Sequence, residues 1–113
     1  MRRPPGPMIE PPESHISEKD FQATVVALAR AHGWMVYGTL DQREYAKRLS
    51  KGFPDLVLIK PRPLGQAPII HFWELKSQNG RISPSQREWL DALGPWARVF
   101  RPSDLDEIEE ILR

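Results

Sequence analysis

The stretch GFPDLVLIK, Gly52 to Lys60, constrains the fold of this 113-residue chain more than any other. Leu56-Val57-Leu58-Ile59 is a short, branched, apolar run that reads as a buried strand. Asp55 stands immediately before it. A second run of the same kind, IIHFWELK, ends with Glu74 and Lys76. The segment between them, PRPLGQAP, carries prolines and a glycine that forbid a regular element and suit an exposed hairpin loop. Successive strand side chains point to opposite faces. Glu74 and Lys76 therefore share a face with Phe72 and Ile70, while Trp73 and Leu75 point the other way. If the hairpin is symmetric about residues 64 and 65, Asp55 lies opposite Glu74 at about 5 Å.

Two like charges facing each other are destabilising, and partial burial makes this worse because desolvation adds to repulsion. One carboxyl would hold a proton, Lys76 would offset part of the charge, or a divalent cation would bridge the oxygens. Hard oxygen donors at this density suit Mg²⁺ or Mn²⁺. The chain has no cysteine, and His15, His32 and His71 have no metal-like spacing, so zinc is not expected. A blander reading is also open. Strand ends meet solvent, so Asp55 would cap the turn after Pro54, with Glu74 and Lys76 as a surface ion pair.

The rest of the chain places these residues in an α/β fold. Residues 1–13 are proline-rich and poor in apolar side chains, and are expected to form a disordered or extended tail ahead of one domain, residues 14–113. Ser17 is an N-cap, with Asp20 placed as in a capping box. Ile16 and Phe21 sit at the positions of a hydrophobic staple. The stripe Phe21, Val25, Leu28 defines a first helix, and WMVYGTL, 34–40, a first strand. Residues 41–51 are polar and basic. After the hairpin, Ser83, Pro84 and Gln86 open a second helix with another capping box. Its expected buried side is Trp89, Leu90 and Leu93. ARVFR forms a fourth strand and SDLDEIEEILR a final acidic helix. The order α-β-β-β-α-β-α implies a mixed central sheet flanked by helices.

Composition narrows the function classes. No apolar run approaches the roughly 20 residues of a membrane span. The N-terminus lacks the apolar segment of a secretory signal. Lack of cysteine fits a reducing cytoplasm. The net charge of +1 hides an asymmetry: residues 102–113 hold five acids and one base, leaving 15 bases against 10 acids elsewhere. A basic body is permissive for nucleic acid.

PDLVLIK followed by WELK resembles the PD-(D/E)XK nuclease signature. The wider runs GFPDLVLI, ELKSQNGRISPSQREWLDAL and RPSDLDEI resemble the VRR-NUC (virus-type replication-repair nuclease) family, particularly its small stand-alone phage and bacterial members, over about residues 17 to 113. The resemblance implies a restriction-endonuclease-like core and a Mg²⁺-dependent (or Mn²⁺-dependent) DNA endonuclease, without an organic cofactor. It implies Asp55, Glu74 and the main-chain carbonyl of Leu75 as metal ligands, with Glu18 as the matching acid of the first helix. Lys76 would orient the attacking water and stabilise charge on the phosphate. Gln86 falls where the family has a glutamine near its site, although the capping box accounts for it equally well. Arg43, Lys47, Arg48, Lys51 and Arg81 would contact phosphates, with Ser77 and the tail arginines Arg2 and Arg3 as weaker candidates. Stand-alone relatives act on branched DNA such as four-way junctions as homodimers. Cleavage of linear or flap DNA, or a non-catalytic DNA-binding or protein-interaction module on the same fold, are the alternatives.

Overall fold

The computed structural model describes residues 15–38 and 51–113. The expected tail and nearly all of the basic segment that follows the first strand lie outside these residues. Within them the order is α1 (Glu18–Ala31), β1 (Met35–Gly38), β2 (Leu56–Lys60), β3 (Ile69–Leu75), α2 (Pro84–Leu93), β4 (Ala97–Phe100) and α3 (Leu105–Leu112). Short 3₁₀ turns at Gly94–Trp96 and Pro102–Asp104 lead into β4 and α3. This is the expected α-β-β-β-α-β-α succession.

Both N-cap bonds form, but the capping box expected at α1 is only half made: among the described residues no bond returns from the Asp20 carboxyl, one methylene shorter than a glutamate, to the Ser17 N–H. The Asp20 N–H donates to Ser17 Oγ at 3.1 Å, and Ile16 packs against the core beside the staple residue Phe21. At α2 the capping box is reciprocal: the Gln86 N–H donates to Ser83 Oγ, and the Ser83 N–H donates to Gln86 Oε1. Pro84 occupies the first turn, where its missing N–H costs nothing.

The four strands lie in the order β1-β2-β3-β4. β2 is antiparallel to both β1 and β3, and β4 is parallel to β3, so the sheet is mixed. The β2–β3 hairpin has the symmetric register: Leu56 faces Trp73, Val57 faces Phe72 and Ile59 faces Ile70. Continued by one residue, that register sets Asp55 against Glu74.

Strand alternation divides the sheet into two unlike faces. On one, Leu56, Leu58, Trp73, Leu75 and Phe100 are fully buried against Phe21, Val25 and Ala29 of α1 and Ile108 and Leu112 of α3. Each such leucine contributes about 2 kcal/mol by leaving water. The Trp34 indole N–H closes this core by donating to the Leu112 carbonyl at 2.9 Å. The opposite face is covered by α2, through Phe53, whose ring meets Phe72 and Trp89 edge-on at 6.0 and 5.0 Å.

The expected buried side of α2 is narrower than the helical stripe suggests. Leu90 is buried and Leu93 half-buried, but Trp89 is 37% exposed. Its ring lies over the loop before β2 rather than over the sheet, with its N–H donating to the Lys51 carbonyl at 3.1 Å. Trp96 is also exposed, so of the four tryptophans Trp34 and Trp73 are the ones in the core. Among the described residues no helix is long and apolar enough to cross a membrane.

Candidate active site

Asp55 reaches its place through a tightly packed loop. Gly52 has a φ of +86°, and a Cβ there would lie 2.5 Å from the Ser85 carbonyl carbon and oxygen at the start of α2. Only glycine combines that backbone with that approach. Pro54 follows and is fully buried. The chain then delivers the Asp55 carboxyl to the end of β3, where Oδ2 accepts the Leu75 N–H at 2.8 Å. In an extended strand the N–H and C=O of one residue point to the same side. The Leu75 carbonyl therefore also faces the flank on which Asp55 lies.

Glu74 is 1% exposed and Lys76 is 9% exposed. The reading of these two as a surface ion pair is therefore overturned. They share the face opposite the main core, as strand alternation requires, while Trp73 and Leu75 close that core. The Gln86 amide donates to Glu74 Oε1 at 2.8 Å. One side chain thus serves both roles left open by the sequence: its oxygen caps α2 and its nitrogen holds Glu74. The other carboxyl oxygen, Glu74 Oε2, is buried and receives no hydrogen bond from a donor group among the described residues.

This arrangement is electrostatically costly. Burial pushes the Glu74 carboxyl up to about 9, reinforced by the charge of Asp55 and a carboxyl–carboxyl hydrogen bond to it; Lys76 acts in the opposite direction. Asp55 is raised too, chiefly by burial, with the Leu75 N–H as the main opposing influence. Without another positive charge, burial and the charge of Asp55 favour the protonated form of Glu74 at neutral pH. Such a pair suits a hard divalent cation, which would replace that proton and offset both charges. The undonated Oε2 and the direction of the Leu75 carbonyl fit an oxygen-donor set. Among the described residues, however, no three His, Asp or Glu side chains are gathered as a metal-holding group. Glu18 is exposed in the first turn of α1 and acts on both carboxyls through space rather than by contact.

Of the residues expected to contact DNA, Lys51 and Arg81 are exposed and Ser77 is half-buried. Arg43, Lys47 and Arg48, like Arg2 and Arg3, lie outside the described residues. His71 stays out of the site: it lies on the core face between Trp34 and Trp73, at 5.4 and 5.6 Å, and burial lowers its pKa. Two residues with no assigned part prove to be built into the site's surroundings. Gly52 allows the approach of the loop to α2, and Arg101 donates to carbonyls of the segment that follows Lys76. Each opens a run already singled out in the sequence, GFPDLVLI or RPSDLDEI, but nothing local assigns it this contact, which joins distant parts of the chain.

Compared with known proteins, residues 10–95 match the family model described as the VRR-NUC domain. No curated protein and no solved structure matches the chain.

Proposed function

Because the chain belongs to the VRR-NUC family of the PD-(D/E)XK nuclease superfamily, and is thus a nuclease-type enzyme, we propose that it is a divalent-metal-dependent DNA endonuclease that selects branched DNA such as four-way junctions. The observation that carries the catalytic reading is the pairing of half-buried Asp55 with fully buried Glu74, whose Oε2 is left without a donor among the described residues. Asp55, Glu74 and the Leu75 carbonyl would hold Mg²⁺ or Mn²⁺, with Glu18 reaching it directly or through water. When bound, such an ion neutralises the scissile phosphate and lowers the pKa of water.

The protein's own groups do the rest. Gln86 fixes one Glu74 oxygen, so the carboxylate presents the other to the site. Lys76 supplies a positive point charge on the same face, where it would orient the attacking water and stabilise charge developing on the phosphate. Lys51 and Arg81, with Arg43, Lys47, Arg48 and Ser77, would contact the DNA backbone, giving salt-sensitive binding with little sequence preference. The products would carry 5′-phosphate and 3′-hydroxyl ends. A homodimer fits this reading, since one site per short chain and a two-fold substrate are matched by a two-fold assembly. Work in a reducing cytoplasm fits the cysteine-free chain.

The test is cleavage of a panel of labelled four-way junctions, flaps and linear duplexes, with Mg²⁺ or with chelator, by the wild type and Glu74→Ala. Metal-dependent junction cutting by the wild type alone is expected. Cutting by both proteins refutes the assigned site, and cutting by neither refutes the nuclease reading in favour of a binding module. Equal cutting of linear duplex refutes the junction preference alone.

A further inference from the structure

Lys76 is followed by a tight turn, residues 77–80, closed by the Gly80 N–H donating to the Ser77 carbonyl at 3.1 Å. It is held by the 3₁₀ turn and strand end on the far side of β4. Arg101 Nη1 donates to the Ser77 and Gly80 carbonyls, both at 2.7 Å, and more weakly to the Gln78 carbonyl at 3.3 Å. Gln78 Nε2 donates to Ser103 Oγ at 3.0 Å, and the Ser103 N–H returns to Gln78 Oε1 at 3.1 Å. The base of the arginine is fixed as well. Its own N–H donates to Asp104 Oδ2 at 2.8 Å, and the preceding carbonyl, of the fully buried Phe100, accepts the Lys76 N–H at 3.0 Å.

The clamp bears on Lys76 through Gly80. A Cβ at Gly80 would lie 2.8 Å from Ser77 Oγ and 3.4 Å from Lys76 Cδ. Gly80 thus lies beside the aliphatic stem of the lysine, and the Arg101 guanidinium holds its carbonyl in that place. Lysine has a long, rotamer-rich side chain, so a stem confined on one side keeps its ammonium directed at little entropic cost. All three bonds come from one terminal nitrogen, Nη1, so the clamp depends on the reach of the arginine side chain and on the fixed orientation of its planar head.

We infer that Arg101 is a positioning residue for Lys76: it holds the 77–80 turn beside the lysine stem and so aims the lysine at the Asp55–Glu74 pair. This rests on the nuclease reading of the site. Arg101 itself touches neither carboxylate nor, on this account, the DNA.

The experiment compares kcat and KM for cleavage of a DNA substrate with Mg²⁺ by the wild type, Arg101→Lys, Gly80→Ala and the double variant, each checked for folding by thermal denaturation. Arg101→Lys keeps the charge but shortens the side chain and loses the planar head that places Nη1 among the three carbonyls. The expected result is a fall in kcat of about 10- to 100-fold in each single variant with KM within about twofold. Because both changes act through one turn, the double variant falls no further than the worse single one. A rise in KM at unchanged kcat would make Arg101 a DNA contact and overturn the inference. So would multiplying effects in the double variant, or wild-type kcat in Gly80→Ala. If Arg101→Lys does not fold, Gly80→Ala alone decides, by the same kcat criterion. A wild type inactive with both Mg²⁺ and Mn²⁺ would instead sink the nuclease reading. The clamp would then be read directly by hydrogen exchange at the Gly80 amide, which donates to Ser77 O: acceleration in Arg101→Lys supports it, and unchanged exchange overturns it.

Discussion

Trp73 and Leu75 differ from Glu74 and Lys76 by one position along the same strand, and all four are buried. On the first face the neighbours are apolar apart from His71, whose ring stacks on Trp73, and the residues complete the core between α1 and α3. On the second, a carboxylate is set against another carboxylate and an ammonium, with a glutamine as its one neutral partner. The first face stabilises the fold by the burial of hydrocarbon. The second costs stability, because desolvation and repulsion raise the free energy of the ionised pair. A fold of this size tolerates such a cost where it serves a chemical purpose. The contrast teaches which residues should fail by unfolding and which by losing reactivity alone.

Substitutions on the charged face should give the largest effects on chemistry. Glu74→Ala and Asp55→Ala are each expected to lower cleavage by about 10³-fold or more while the protein stays folded. Single-turnover cleavage and circular dichroism on the same samples check both halves. On the apolar face, Leu58→Ala should cost about 2–5 kcal/mol in urea unfolding, with cleavage per folded molecule close to wild type. Reversal of these two patterns would erase the distinction between the faces.

The pH dependence of stability sharpens it further. Glu74 titrates near 9 in the folded protein against an ordinary value of 4.5, so between those values the folded state binds more protons than the unfolded one. Stability then falls as pH rises through this window. In the presence of chelator, the denaturation midpoint is expected to decline from pH 5 to pH 9. Glu74→Gln should flatten the decline and be at least as stable as wild type at pH 8. Gln86→Ala removes the donor to Glu74 and one half of the α2 cap, and should cost about 10- to 100-fold in cleavage and about 1 kcal/mol in stability. The smallest effects belong to the exposed bases: Lys51→Ala and Arg81→Ala should each reduce the slope of log affinity against log salt by about one, as read by fluorescence anisotropy.

The parts of the site legible in the sequence are those governed by local rules. Strand alternation puts Glu74 and Lys76 on one face, and a symmetric loop sets the register that places Asp55 opposite Glu74. Ser83 and Gln86 announce their cap by spacing alone, while the second bond of Gln86, to Glu74, needs the fold. The depth of the pair was not legible. An acid at a strand end reads equally well as solvated, and only the packing of α2 shows Glu74 to be buried. Trp89 misleads because a helical stripe gives a direction without giving the width of the surface beneath it. Arg101 and Gly52 stand in runs that carry the resemblance, but their contacts are not legible because their partners are backbone atoms far away in sequence.

The central claim is that the Asp55–Glu74 pair holds a divalent cation in place of a proton. Calorimetric titration of Mn²⁺ into the metal-free protein, repeated in buffers of different ionisation enthalpy, measures both events together. Binding of Mn²⁺ at the pair with release of a proton at pH 7, abolished in Asp55→Asn and in Glu74→Gln, is the predicted result. Binding of equal affinity in the wild type and both variants, or no binding by the wild type, would contradict it.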